Sequence, residues 1–328
     1  MRTIVMEGPR KSKVIQVDIP KINDEQLLVK VKYTGMCHSE WYPWTIAAKG
    51  DKLGHEPMGY VAEVGKNVHE FKVGDRVTGL GGGYSEYIVM DPKLTLIIPE
   101  NIADEDAVIE PHSCLISAAA RVPITTTGDA VAVVGAGYMG LGMVSLLKLK
   151  GAGKIVVVDP REEARENALK FGATEVYSPE NLPLNYILNW ETWGKNNLSE
   201  QGHETNIFNT GFKTVVEFTG TESGLRLAGD MVSAHGFLGI GGYHNDCNRT
   251  IDFKLWNVKA IDANSLHERR AEYQIMCCRN GLYMLSKGLW NFKGVCNNIY
   301  SMEEFDKANH EMDVKPNGYI KALIKCSN

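Results

Sequence analysis

The chain has 328 residues, enough for two domains and a sizeable core. Its 35 basic and 40 acidic side chains leave a formal charge of −5 and a pI near 6.0, so no global field favours nucleic acid or an anionic membrane. There is no long uncharged apolar run and no signal-peptide pattern at the start, and the seven cysteines are scattered without C-x-x-C pairs. Together these predict a soluble cytoplasmic protein with reduced thiols, having neither a membrane nor a nucleic-acid partner.

Taken in order, residues 1 to 35 alternate apolar and polar positions, as in Gln26-Leu-Leu-Val-Lys-Val-Lys-Tyr33, and predict strands with one solvated face. Gly35-Met-Cys-His-Ser-Glu40 follows, then the aromatic run Trp41-Tyr-Pro-Trp44, which serves either as a stacking platform for a sugar-like substrate or as core. Gly54-His-Glu-Pro-Met-Gly59 opens a glycine-punctuated β stretch that continues through Val73-Gly-Asp-Arg-Val77 and Gly81-Gly-Gly-Tyr-Ser-Glu. An all-β N-terminal unit is expected. Glu110 to Arg121 reads as a helix leading into a second kind of pattern.

That pattern centres on Ala130-Val-Ala-Val-Val-Gly-Ala-Gly-Tyr-Met-Gly-Leu141. A short buried strand turns sharply into a helix, and Gly135, Gly137 and Gly140, with Tyr138 and Met139 between, give the G-x-G-x-x-G spacing. The glycines permit the tight turn, the approach of a pyrophosphate and close helix packing, so the cofactor phosphates face a helix N-terminus. A second strand, Ile155 to Asp159, places an acid 19 residues past Gly140. There it would accept hydrogen bonds from an adenosine ribose diol and repel a 2′-phosphate, which favours NAD, while Arg161 keeps some use of NADP open. Further strands end at Thr219-Gly220 and Ile240-Gly241, which are additional cofactor contacts by position, and Lys259 to Ala263 is expected as the last strand of this sheet. Residues 178 to 211 lack periodicity and are expected to carry some helix or an insertion. A helix from Glu272 towards Ser286 and a closing strand, Tyr319 to Lys325, return to the N-terminal unit.

With these segments in place the chain resembles the medium-chain dehydrogenase/reductase superfamily, in its zinc-dependent alcohol and polyol (sorbitol dehydrogenase-like) branch. The resemblance rests on Gly35-x-Cys37-x-Ser39, Gly54-His-Glu56 with Gly59, Val61 and Gly65, Val73 to Val77, Glu110-Pro111 and the glycine fingerprint, in the expected order. It implies an α/β protein: a GroES-like β-rich catalytic domain over 1–119 and 263–328, split around a doubly wound Rossmann NAD-binding domain over 120–262. The cysteine-rich lobe that holds a structural zinc in many relatives has no room here, because Val77 and Gly81 are almost adjacent and no cysteine lies between Cys37 and Cys114. One catalytic zinc and no structural one is the expectation.

The resemblance assigns Cys37, His55 and Glu56 as zinc ligands and Glu110 as a fourth, exchangeable one, with His112 as a rival. Ser39 matches the family's relay hydroxyl. Zinc would acidify a substrate hydroxyl while NAD takes the hydride, and the carboxylate-rich ligand set favours a secondary alcohol of a polyol, sugar or cyclitol. His267-Glu-Arg-Arg270 either reaches polar substrate or is a surface charge run. The competing readings are a metal-free NAD(P)H-dependent quinone or enoyl reductase and a non-catalytic dinucleotide-binding protein; metal analysis with coenzyme titration separates them. By analogy with the family, a homodimer or homotetramer is expected.

Overall fold

The computed structural model describes residues 1–124, 127–196 and 210–327. They form two units, Met1–Cys114 with Glu268–Asn328, and Leu115–His267. The first contains β1 (Arg2–Gly8), β2 (Lys11–Gln16), β3 (Leu27–Gly35), α1 (Trp41–Ile46), β4 (Pro57–Val64), β5 (Arg76–Gly79), β6 (Tyr87–Met90) and β7 (Thr95–Ile97). Helix α2 (Glu110–Arg121) begins in this unit and ends in the next. The second unit alternates β8 (Ala130–Val134), α3 (Tyr138–Leu149), β9 (Lys154–Val158), α4 (Glu162–Phe171) and β10 (Glu175–Tyr177). It continues with α5 (Trp190–Asn196), β11 (Phe212–Glu217), α6 (Glu222–Met231), β12 (Val232–Ile240), α7 (Phe253–Val258) and β13 (Asp262–Ser265). The chain then returns to the first unit through α8 (Ala271–Ser286), β14 (Cys296–Ser301), α9 (Phe305–Val314) and β15 (Lys321–Lys325).

In the first unit the strands run β14-β15-β3-β4-β5-β7, with β6 also on β3, and β1-β2 form a separate hairpin. Alternation sends Leu27, Val29 and Val31 of β3 into a core shared with Met6, Tyr84 and Phe305. The C-terminal strand reaches this core by pairing antiparallel with β3, Leu323 opposite Gly35. In the second unit six parallel strands run β10-β9-β8-β11-β12-β13, the doubly wound order in which β8 is flanked by both halves. The runs Ala130–Val134 and Lys154–Val158 are apolar on both faces because helices cover both sides of a parallel sheet.

One expectation needs correction, and one is met in part. Lys259 does not start the last strand: it terminates α7, its side chain is buried, and β13 begins three residues later. Its side-chain nitrogen donates to the carbonyls of Leu188, Gly229 and Asp230. The stretch 178 to 211 carries α5 and short helical turns at Pro179–Asn181 and Leu184–Tyr186; 197–209 lie outside the described residues. Among the described residues no helix is long and apolar enough to cross a membrane.

Candidate zinc and dinucleotide sites

The antiparallel register of β3 and β4, Thr34 opposite Pro57, sets the residues after one strand beside those before the other. Gly35 N donates to Glu56 O at 2.9 Å, closing this strand end. Cys37, His55 and Glu56 converge there, with one potential ligand atom from each within 4.8 Å of the others. Gly54, at φ +106°, turns the chain into His55, and a Cβ at Gly35 would lie 2.0 Å from Glu56 Oε2. The glycines flanking these residues are therefore steric requirements of the site.

Each ligand side chain has a partner, buried for His55 and Glu56 and half-buried for Cys37. His55 Nδ1 meets Glu40 Oε1 at 2.6 Å, which leaves Nε2 for a metal. Glu40 also accepts Gly54 N at 2.7 Å and, on its other oxygen, the hydroxyl of buried Tyr84 at 2.7 Å. Lys321 Nζ lies 2.7 Å from Glu56 Oε2 and donates to Met36 O at 2.9 Å; this pair is 5 % and 1 % exposed. Ser39 Oγ donates to Cys37 Sγ at 3.1 Å. Burial resists protonation of His55, but hydrogen bonds to Cys37 and Glu40 outweigh it and raise its pKa to about 12. Burial first, and the Glu56 charge second, raise Glu110 to about 7.

The residues fit a zinc ion. A sulfur, an imidazole nitrogen and a carboxylate are the donor types zinc takes. Glu56 Oε1 is buried and accepts no hydrogen bond among the described residues, an arrangement that is costly for a carboxylate oxygen without a cation to face.

In the second unit Gly135, at φ +99°, ends β8, and Gly137 caps α3. A Cβ at Gly140 would sit 1.9 Å from Gly135 O, and one at Gly135 would sit 2.9 Å from Thr219 Cγ2, so both positions require glycine. At Gly137 a Cβ would meet nothing within 4 Å, which leaves the helix N-terminus open to a phosphate. Asp159 Oδ2 accepts Ala136 N at 2.8 Å and Oδ1 accepts Arg161 N at 2.9 Å, while the Arg161 guanidinium folds back onto the same carboxylate.

Family models match on both sides of this division: the alcohol dehydrogenase GroES-like domain over residues 23–100 and the zinc-binding dehydrogenase over residues 139–267. Sorbitol dehydrogenase of Bacillus subtilis (strain 168) is 32% identical over 214 residues, 54% of this chain and 60% of that enzyme's length. D-arabinitol dehydrogenase 1 of Uromyces fabae is 26% identical over 346 residues, 95% of this chain and 94% of that one. The chain carries both domains of the zinc-binding alcohol dehydrogenases. The crystal structure of 2R,3R-butanediol dehydrogenase from Bacillus subtilis superposes with a TM-score of 0.78 at 20% identity, covering 100% of this chain and 99% of that one, and so shares the fold.

Glu110 lies within electrostatic range of Glu56 and His55 but outside the compact three-residue cluster. His112, the rival ligand, also lies outside that cluster. It is 2 % exposed, its ring packs edge-on against Trp290 at 4.9 Å and tilted against Phe292, and burial lowers its pKa to about 3. Trp44 is core, its Nε1 bonded to Asp306; Trp41 stacks on exposed His38. Glu268 accepts the backbone N–H groups of Arg269 and Arg270 and pairs with the Arg270 side chain, so it organises its own turn.

Sequence reasoning missed Glu40, Tyr84 and Lys321. Glu40 could have been suspected as an acid three residues past Cys37, and Lys321 as a lysine at the start of the apolar run Ala322-Leu-Ile324. Tyr84 carries no local signal.

Proposed function

We propose that this dehydrogenase oxidises a secondary hydroxyl of a polyol, sugar or cyclitol with NAD. Cys37, His55 and Glu56 hold the zinc, and Glu110 is the exchangeable fourth ligand. When bound, zinc supplies the Lewis acidity that acidifies the alcohol, and NAD supplies the acceptor for its hydride. The residues of the chain do the rest. Glu40 fixes the His55 ring, and Lys321 balances the charge of Glu56. Ser39, whose hydroxyl already lies against the Cys37 sulfur, takes the alcohol proton.

On the nucleotide side Gly135, Gly137, Tyr138, Met139 and Gly140 cradle the pyrophosphate. Asp159, oriented by Arg161, receives the adenosine ribose, and Thr219, Gly220, Ile240 and Gly241 line the far half. The seven free thiols support a cytoplasmic setting. The exposed residues of β13, the outer strand of its sheet, support a homodimer or homotetramer paired along that edge.

The observation that carries this reading is the Cys37–His55–Glu56 cluster with its orphaned carboxylate oxygen. The test is a screen of polyols, sugars and simple alcohols for NADH formation by zinc-loaded and chelator-treated protein, with metal analysis of each. Zinc-dependent NADH formation with a polyol is expected. A protein that takes up no zinc, or one that reduces quinones with NADPH when metal-free, overturns it.

A further inference from the structure

One carboxylate at the nucleotide end belongs to no fingerprint. Glu217, the last residue of β11, is fully buried. Its Oε1 accepts Thr219 N and Thr219 Oγ1, both at 2.5 Å, and Gly220 N at 2.8 Å. Its main-chain carbonyl accepts Gly241 N and Gly242 N, both at 2.9 Å. The turn after β12 folds so closely onto it that a Cβ at Gly242 would lie 2.6 Å from Oε2. This one residue therefore ties together the turns that end two neighbouring parallel strands.

Behind it stands a chain of polar groups. His244 Nε2 lies 3.1 Å from Glu217 Oε2, and Arg249 Nε donates to His244 Nδ1 at 3.0 Å. With Nδ1 accepting, the imidazole carries its proton on Nε2 and donates it to the carboxylate. Arg249 Nη2 then donates to Gly220 O at 2.7 Å and pairs with Asp246. Gly220, at φ +70°, is thus gripped on its N–H by Glu217 and on its carbonyl by Arg249.

The strand order says which part of a ligand these turns meet. In such sheets the pyrophosphate lies at the first strand-to-helix turn, here after β8, and the acid at the end of the next strand, Asp159 after β9, takes the adenosine ribose. β11 and β12 lie on the opposite side of β8 from β9. An extended dinucleotide therefore lays its second nucleoside across the ends of β11 and β12.

We infer that Glu217, backed by His244 and Arg249, is a positioning group for the nicotinamide nucleoside: it fixes the Thr219–Gly220 and Gly241–Gly242 turns that receive this half of the cofactor, without touching the reacting atoms. The inference rests on the dinucleotide reading above. Its signature is selective, because ADP uses only the β8 and β9 ends whereas NADH also needs those of β11 and β12.

The test uses the full-length zinc-loaded protein with Glu217→Gln, which keeps shape but opposes an amide N–H to the His244 N–H, and with Arg249→Ala at the outer end of the chain. NADH and ADP affinities are measured by calorimetry, together with KM for NAD and kcat. Loss of a charge-assisted hydrogen bond on this scale weakens NADH binding about tenfold in each variant, with ADP binding and zinc content held within about twofold. KM for NAD rises by a similar factor while kcat changes little, and Arg249→Lys, which keeps a donor, recovers part of the loss. Unchanged NADH affinity in both variants overturns the inference, as does an equal fall for ADP and NADH, which marks general damage to the unit. Parent protein that binds neither nucleotide defeats the dinucleotide reading itself.

Discussion

The two units hold their ligands with opposite materials. At the β3–β4 strand end the binding groups are side chains, and their neighbours are buried charges, Glu40 close in the chain and Lys321 far from it. At the β8–α3 turn the binding surface is backbone, and the charged side chains Asp159 and Glu217 face inward to pin turns. A metal demands a particular lone pair, so residue identity decides. A pyrophosphate demands N–H groups that nearly every residue has, so the lack of a side chain decides. The first unit should fail when an atom is removed and the second when one is added.

The largest test removes a sulfur. Cys37→Ala is expected to lose zinc and to lower kcat/KM by about 10³-fold or more, yet to bind NADH like the parent. Metal analysis and NADH titration check this, and a parallel loss of NADH binding would break the separation between the units. Next, Lys321→Met strands Glu56 as a buried charge. Denaturant unfolding of the metal-free protein should show a loss of about 3–5 kcal/mol, and the loss should shrink with zinc bound, because the metal then balances the carboxylate. Equal losses in both forms would mean that Glu56 faces no metal.

On the other side, Gly140→Ala forces a methyl onto Gly135 O. A cost of about 1–3 kcal/mol and a clear rise in the NADH dissociation constant, at unchanged zinc content, are expected. The last test concerns Lys259, lowered to about 7 by burial, which Asp230 offsets in part. Between that value and the ordinary lysine range the unfolded chain binds more protons than the folded one. The stability contributed by this group is therefore complete only at high pH, falls as pH drops towards about 7, and is flat below. Urea unfolding of the parent and Lys259→Met across this window should show the parent gaining on the variant as pH rises. The opposite slope would show that the ammonium is welcome in its carbonyl nest.

What the sequence revealed follows the same division. The glycine turn was legible because its requirements are local: a positive φ at Gly135 and a contact between Gly140 and Gly135 lie within six residues. Gly172, at φ +115°, marked the end of α4 for the same reason. Cys37, His55 and Glu56 were legible as a set through resemblance, since nothing in the spacing alone brings them together. The partners that make the set workable were hidden in register. Tyr84 meets Glu40 because a glycine-rich turn folds back, and Lys321 meets Glu56 because β15 pairs with β3. Lys259 misled because a lysine before an apolar pair reads equally well as the start of a strand or the end of a helix. Only burial of its ammonium separates the two.

That last pairing has a temporal side. Protein synthesis is directional, and Lys321 leaves the ribosome 285 positions after Met36, whose carbonyl it caps. The contiguous segment Leu115–His267 emerges whole, while β3, which leads into Cys37, waits for β15 to pair with it. At translation speeds of roughly 5–20 residues per second the delay is tens of seconds. Throughout that interval Glu56 lacks this counter-ion.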